Sequence, residues 1–506
     1  MSTESSEQPN WEIEYDVVVL GMGAAGSAAA IEAHDAGCRV AILEKLDGGL
    51  EGGNTRASGG SWWINQDPER AATYLKSLCG GFEVPPAVIA TWAEETSRNT
   101  AWVSDTVGAA VAPVGGAIGG TGPGMPPEFP ELDGSDVYLG QMAVGGVLGG
   151  QRLITALHAA LEARGIDVRR GTPARRLVQD PVTGRITGVV ATTPTGQTLR
   201  VRAERGVVLA TGGFEADDAM VRDYLRFTQA RPWGSPHNRG DGHRMAQKVG
   251  ADLWHMDNMM AIDGLQVPGY DADFYLRFSF RKGFIYVDAD GRRVTNELPQ
   301  WGHGQSHQHG GYELTPVRGH HAIFDEATRL SGPISPNKRM LEIGWNVLID
   351  GYDWSDDNSV EVDKGWILRG DTLEELAEWL GVQASELTRS VELYNQACAA
   401  GYDEQHRRPA ATLDPIGAGP YYAVTSSPMT AWSNGGPRRD EHCQVLDPFG
   451  DVIAGLYAAG SVSSTYSWGK DGGFHIADAL AFGRVAGRSA AAAAAAPDLP
   501  GATRSA

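Results

Sequence analysis

The run Tyr15-Asp16-Val17-Val18-Val19-Leu20 leads into Gly21-Met22-Gly23-Ala24-Ala25-Gly26, and an alanine-rich stretch then carries the chain to Val40-Ala41-Ile42-Leu43-Glu44. This order predicts strand, glycine turn, helix, second strand and terminal acid. Gly21 suits the tight turn, Gly23 lets backbone amides approach a pyrophosphate, and Gly26 lets helix and strand pack closely. Ala24 and Ala25 open the helix, whose unpaired N-terminal amides and dipole favour an anion. Glu44 falls roughly twenty residues on, where a carboxylate accepts from adenosine ribose hydroxyls. The fold expected is α/β, built on a Rossmann-like dinucleotide domain.

At 506 residues the chain exceeds one ordinary core and has length for a buried cleft between domains. Its 63 acidic residues outnumber 42 basic ones, a net charge of -21 that opposes nucleic-acid phosphates and anionic lipid. Neither nucleic acid nor membrane is an expected partner. The polar, acidic start lacks the pattern of a signal peptide, and no apolar run suffices for a bilayer span. Cys38, Cys79, Cys398 and Cys443 are scattered without metal-site spacing. The expectation is a cytoplasmic enzyme with no metal and a separate electron acceptor or donor, its oligomeric state undefined.

Apolar residues recur at helical spacing over Glu69 to Cys79, Pro86 to Val107 and Arg152 to Arg164. Between Ala112 and Pro130, Gly and Pro predict an irregular loop. Arg185 to Val190 and Thr198 to Val201 read as a hairpin, and Gly206 to Leu209 as a separate buried strand ending at Ala210-Thr211-Gly212-Gly213-Phe214. Gly455-Leu456-Tyr457-Ala458-Ala459-Gly460 repeats that grammar far downstream. Such a repeat predicts one nucleotide domain, residues 13–250 and 432–490, interrupted by an inserted α+β capping domain at 251–431. Residues 1–12 read as a flexible tail, and 491–506 as an Ala/Pro-rich one.

Further signatures are Gly52-Gly53-Asn54-Thr55-Arg56-Ala57-Ser58-Gly59-Gly60, Arg239-Gly240-Asp241-Gly242-His243, Gly291-Arg292-Arg293-Val294-Thr295-Asn296-Glu297, and Lys470-Asp471-Gly472-Gly473 followed by Phe482-Gly483-Arg484-Val485-Ala486-Gly487. Together with the glycine turn, in this order, they resemble the flavoprotein family of fumarate reductase and succinate dehydrogenase, closest to its 3-ketosteroid dehydrogenase branch. The resemblance implies FAD, held by the glycine turn and by Asn54, Thr55, Ala57, Ser58, Gly59 and Gly60 along the flavin. Thr211, Gly212 and Gly213 would follow at a strand end. Lys45, Ala174, Asn238, Asp241, Gly460 and Ile476 complete the expected contacts. Gly472 and Gly473 start a helix whose amides would face the flavin pyrimidine, where charge accumulates on reduction. Covalent relatives attach flavin through a histidine in the glycine loop; Asn54 stands nearest to it here, so the FAD is expected to be non-covalent.

Dicarboxylate reductases of this family carry a proton-donating arginine after the Asn-Glu pair, where this chain has Trp301. They also grip a substrate carboxylate with a histidine before a Gly-Gly pair, where it has Trp432. Indole neither transfers a proton nor forks onto a carboxylate. The implied reaction is therefore transfer of hydrogen across a C–C bond beside a carbonyl, in a cyclic and largely apolar ketone such as a 3-ketosteroid. Trp62 and Trp63 suit either the wall of such a pocket or the core.

The alternative substrate is a small unsaturated carboxylate, bound by Lys470 with Arg277 or Arg281. A non-catalytic flavin electron carrier is the alternative class. The proton role falls to Tyr466, to Lys470 with its pKa lowered, or to the glycine-interleaved loop holding His303, His307, His309 and Tyr312. That loop also allows a metal site as an alternative.

Overall fold

The computed structural model describes residues 10–115, 127–228, 230–278, 281–297, 305–308, 311–314, 320–339 and 342–495. Side chains at 261, 305–308 and 311–314 are excepted. Most of the expected N-terminal tail, the core of the Gly/Pro loop, Trp301, His303, His309 and most of the C-terminal tail lie outside the described residues.

An eight-stranded sheet forms the base, with Ile13–Leu20 at its centre. Val17 to Leu20 pair in parallel register with Val40 to Leu43 on one side and with Gly206 to Leu209 on the other. Both faces of these strands are covered, so the sequence reads as a continuous apolar run rather than an alternation. Val452–Ala458 pairs in parallel with the far edge of Val207 to Leu209, which brings the two glycine-terminated strands side by side.

The separate hairpin and strand expected around residue 200 are one element, Thr198–Leu209. Its first half pairs with Ile186–Thr192 and its second half with Val452–Ala458. The sequence reads as two pieces, one ending at Val201 and one beginning at Gly206, but ladder bonds to Ile13–Leu20 run along both halves. Pro86 to Val107 likewise corrects to two helices, Pro86–Ser97 and Asn99–Asp105, that meet at Arg98.

The first helix, Ala24–Asp35, packs against the C-terminal helix Phe474–Ala492. Small residues permit the close approach. A Cβ added at Gly483 would lie 2.4 Å from the Ala25 carbonyl oxygen, and one at Gly487 would lie 2.3 Å from that of Ala29. We expect Gly487→Ala to destabilise the protein by about 2 kcal/mol, the cost of overpacking against backbone. The denaturant midpoint reads this, and an unchanged midpoint would refute the packing argument.

A second, four-stranded antiparallel sheet joins Phe284–Val287, His321–Asp325, Tyr421–Thr425 and Leu368–Gly370. Alternation decides its faces: Ile285 and Val287 pack under helices Leu373–Leu380 and Ala384–Ala400, while Phe284 and Tyr286 meet an aromatic cluster with Phe278, Phe324 and Trp354. Strand pairing crosses both expected domain boundaries. Arg231 and Pro232 pair with Met429 and Thr430, and Leu253 and Trp254 with Pro437 and Gly436. Among the described residues, no helix is long and apolar enough to cross a membrane.

Candidate functional site

A cleft of about 860 Å³, partly open to solvent, runs over the glycine turn at the carboxyl ends of the parallel strands. Ligands bind at this edge of open α/β sheets. Two of the three glycines are required by the protein itself. Gly21 has φ +100°, and a Cβ there would meet the Ala210 carbonyl oxygen at 2.5 Å; one at Gly26 would lie 2.0 Å from the Gly21 oxygen. Gly23 is different, since its nearest protein atom to an added Cβ is Thr55 Oγ1 at 3.5 Å. Space is kept open on the cleft side, above a helix start whose N-cap residue, Gly23, has no side chain of its own. This is a cradle for phosphate.

The rest of the cleft fits a dinucleotide. Buried Glu44 accepts from the amides of Met22 and Leu46, both at 2.9 Å, which fixes its carboxylate at the strand end. Burial pushes its pKa up. Lys45 bonds Asp241 at 2.7 Å and the His237 carbonyl. Thr55 Oγ1 accepts from the Ala24 amide at 3.0 Å. Thr211 Oγ1 is buried with no protein partner, an orphaned hydroxyl aimed at the cleft wall.

Of the expected cofactor residues, Gly21, Gly23, Ala24, Ala25, Glu44, Lys45, Asn54, Thr55, Ala174, Thr211, Gly212, Asn238, Asp241 and Gly460 line this cleft. Ser235, His237 and Ser461 line it too and were missed. His237 and Ser461 adjoin expected residues, so proximity to a motif was the available signal.

Gly26, Ala57, Ser58, Gly59, Gly60, Gly213, Gly472, Gly473 and Ile476 lie off the cleft lining. Several of them shape the backbone. Ser58 Oγ accepts from the Gly60 amide at 3.0 Å, and the Ala57 carbonyl accepts from Gly344 at 2.7 Å. Gly473 caps the C-terminal helix at φ +81°, with room for a Cβ denied by the Trp63 amide nitrogen at 2.7 Å. Gly473 brings no side-chain cap to this helix start, and the Phe474 amide donates to the Asp471 carbonyl at 3.2 Å.

Lys470 precedes that helix and is buried, as its short, glycine-flanked loop turns inward. Its Nζ donates to Asn258 Oδ1 and to the Met259 carbonyl, both at 2.9 Å. Neither the adjacent Asp471 nor a phosphate site takes it. Burial lowers its pKa to about 7, against the pull of Glu128. Asp471 accepts from Tyr74 at 3.0 Å and from the Glu128 and Gly472 amides, and burial beside Glu128 drives it toward its protonated form.

Tyr466 is placed differently from the expectation. Its hydroxyl donates to the Phe474 carbonyl at 2.7 Å and accepts from Trp92 Nε1 at 3.0 Å, so its bonds close within the core. Trp62 and Trp63 are also fully buried core. Trp62 donates to Thr100 at 3.1 Å, and Trp63 stacks on Trp92 at 5.4 Å. Neither walls the cleft. Trp432 meets the His475 ring at 4.5 Å, at the start of the C-terminal helix.

The histidine segment is not the expected loop. Gln305–Gln308 and Gly311–Leu314 form an antiparallel hairpin in which His307 faces Tyr312. Arg281, expected as a possible substrate clamp, donates to the carbonyls of Arg277, Thr328, Gly332 and Pro333 and to Ser331. Its fork is consumed by the protein.

Comparison with known proteins agrees with this geometry. The family described as FAD binding domain matches residues 16–478. The 3-oxosteroid 1-dehydrogenase of Mycolicibacterium smegmatis is 30% identical, over 96% of this chain and 98% of its own. Urocanate reductase of Eggerthella lenta is 30% identical, over 95% of this chain and 75% of its own. Among solved structures, the 3-ketosteroid delta1-dehydrogenase of Sterolibacterium denitrificans in complex with 1,4-androstadiene-3,17-dione superposes with a TM-score of 0.77. It is 25% identical, and the match covers 95% of this chain and 99% of that one.

Fold and cleft together define a dinucleotide-binding flavoprotein. The chain belongs to the FAD binding domain family, which it shares with ketosteroid dehydrogenases and fumarate reductases, and is an FAD-dependent oxidoreductase acting on CH–CH bonds.

Proposed function

We propose that this enzyme adds or removes hydrogen across a C–C bond next to the carbonyl of a cyclic, largely apolar ketone, a 3-ketosteroid being the model substrate. The observation that carries the reading is Trp432 against His475 at the start of the C-terminal helix. Indole occupies the position at which, by the family resemblance, a dicarboxylate-binding enzyme carries a histidine for the substrate carboxylate. Closure of Arg281 onto carbonyls removes one candidate anion clamp. The match along nearly the whole length of oxosteroid dehydrogenases supports the same choice.

Bound FAD supplies the two-electron hydride chemistry. The proton at the neighbouring carbon falls to Lys470, whose buried amine is held by two acceptors and is near half-neutral at physiological pH. Tyr466 is set aside because its hydroxyl is engaged on both sides. His307 and Tyr312, opposite one another on their hairpin, remain the second candidates for proton exchange. The FAD is held without a covalent bond: Asn54, at the position where relatives carry a linking histidine, has no nucleophile to offer.

Anaerobic mixing with a 3-ketosteroid is expected to bleach the flavin, whereas urocanate or fumarate leaves the reduced enzyme unoxidised. Rapid reoxidation by either carboxylate, with no steroid-dependent bleaching, would overturn the substrate class in favour of a carboxylate reductase.

A further inference from the structure

Glu215 follows the Gly212-Gly213-Phe214 strand end, is fully buried, and faces three segments distant in sequence. Its Oε1 accepts from Asn54 Nδ2 at 2.6 Å and from Asn238 Nδ2 at 2.8 Å. Its Oε2 accepts from the Ser433 amide at 3.2 Å and from Ser433 Oγ at 2.9 Å. A backbone group fixes the direction of the Asn54 bond. Asn54 Oδ1 already accepts from the Ser235 amide at 2.8 Å, so its Nδ2 must turn to Glu215. Ser433 Oγ accepts from the Phe214 amide at 2.7 Å and donates to Oε2.

Both carboxylate oxygens are thus surrounded by donors. Burial pushes the pKa of Glu215 up; against this, each oxygen meets a donor that cannot reverse, Asn54 Nδ2 at Oε1 and the Ser433 amide at Oε2. Four donors on one carboxylate favour the anion. No cationic side chain pairs with it among the described residues. Asn54, Asn238 and Gly212 line the FAD cleft, so this charge sits one residue behind the cofactor wall. An added Cβ at Gly213 would lie 2.3 Å from Glu215 Oε2, which gives that glycine its reason.

We propose that Glu215 is an ionised positioning residue, which locks Asn54 and Asn238 against the cofactor and holds the flavin potential down by opposing the negative charge gained on reduction. The inference rests on the FAD site alone and is independent of the substrate reading. It assigns opposed electrostatic roles to the two ends of the site: Glu215 disfavours reduced flavin, while the amides at Gly473 favour it.

Two variants test it, each read by FAD dissociation from the apoprotein and by the two-electron midpoint potential of the holoprotein. Glu215→Gln removes the charge and presents an NH2 to fixed donors. It is expected to weaken FAD binding about tenfold and to favour reduced over oxidised FAD about tenfold, an upward shift of about 30 mV. Glu215→Asp keeps the charge and withdraws it from Asn54, so affinity is expected to fall while the potential stays at the wild-type value. An unchanged potential in Glu215→Gln means a protonated, neutral Glu215 and overturns the electrostatic claim. Should Glu215→Gln not fold, Glu215→Asp decides alone: retained FAD affinity, or a potential raised as expected for the glutamine, overturns the proposal.

Discussion

Gly23→Asp is expected to leave the fold standing and to abolish useful FAD affinity, with a dissociation constant raised by at least about a hundredfold. An added Cβ at Gly23 meets nothing closer than Thr55 Oγ1 at 3.5 Å, so the backbone has no steric reason to reject a side chain. The new carboxylate would instead occupy the cradle above the helix start. Two like charges about 4 Å apart repel by roughly 4 kcal/mol near a protein surface, and each 1.4 kcal/mol is tenfold in binding. Gly26→Ala provides the contrast. Its Cβ would sit 2.0 Å from the Gly21 oxygen, so that variant should lose apoprotein stability as well as cofactor. Flavin absorbance after gel filtration and thermal unfolding of the apoproteins separate the two effects. Equal FAD binding by Gly23→Asp and wild type would place the pyrophosphate elsewhere.

The contrast also explains what the sequence could convey. The glycine turn is local: strand, turn and helix lie within one short stretch, and Gly26 answers to Gly21 five residues away, although the Gly21 contact with Ala210 is a long-range one. Glu44 and the paired strand ends were legible for the same reason, because a buried parallel strand is a continuous apolar run. Glu215 carried no such signal. Its partners Asn54 and Ser433 are separated from it by 161 and 218 positions, and only folding brings them to one carboxylate.

Aromatic residues failed for a related reason. Trp62, Trp63 and Tyr466 have the chemistry of a pocket wall or proton donor, but they fill the core behind the C-terminal helix, and composition does not distinguish the two sides of a wall. The long strand Thr198–Leu209 reads as two apolar pieces, one ending at Val201 and one starting at Gly206, even though the ladder continues between them. The hairpin at Gln305–Leu314 was hidden by its histidines and glycines, which read as loop. In each case tertiary pairing overrode a local rule.

Lys470→Met is expected to slow flavin reduction by substrate by about two to four orders of magnitude, the usual worth of a positioned acid or base, with FAD content unchanged. The pH profile distinguishes proton transfer from packing. A base must be neutral, so in the dehydrogenation direction the wild-type rate should climb as pH rises through about 7 and level off above it, where the buried amine has lost its proton. In the hydrogenating direction the slope reverses. Lys470→Met should retain neither limb.

The substitution acts on stability in the opposite sense from its effect on rate. The folded pKa lies below the unfolded value of about 10.4, so between about 7 and that value the unfolded chain holds more protons and wild-type stability rises with pH. Methionine carries no charge to bury. The variant should therefore exceed wild type in unfolding midpoint below pH about 7 and lose that advantage as the solution becomes alkaline. A variant that is more stable in mild acid yet slow at every pH would identify a lysine kept for chemistry. Wild-type rates in a variant with that stability pattern would move the proton to the His307 and Tyr312 hairpin, since Tyr466 has its hydroxyl engaged by Trp92 and the Phe474 carbonyl.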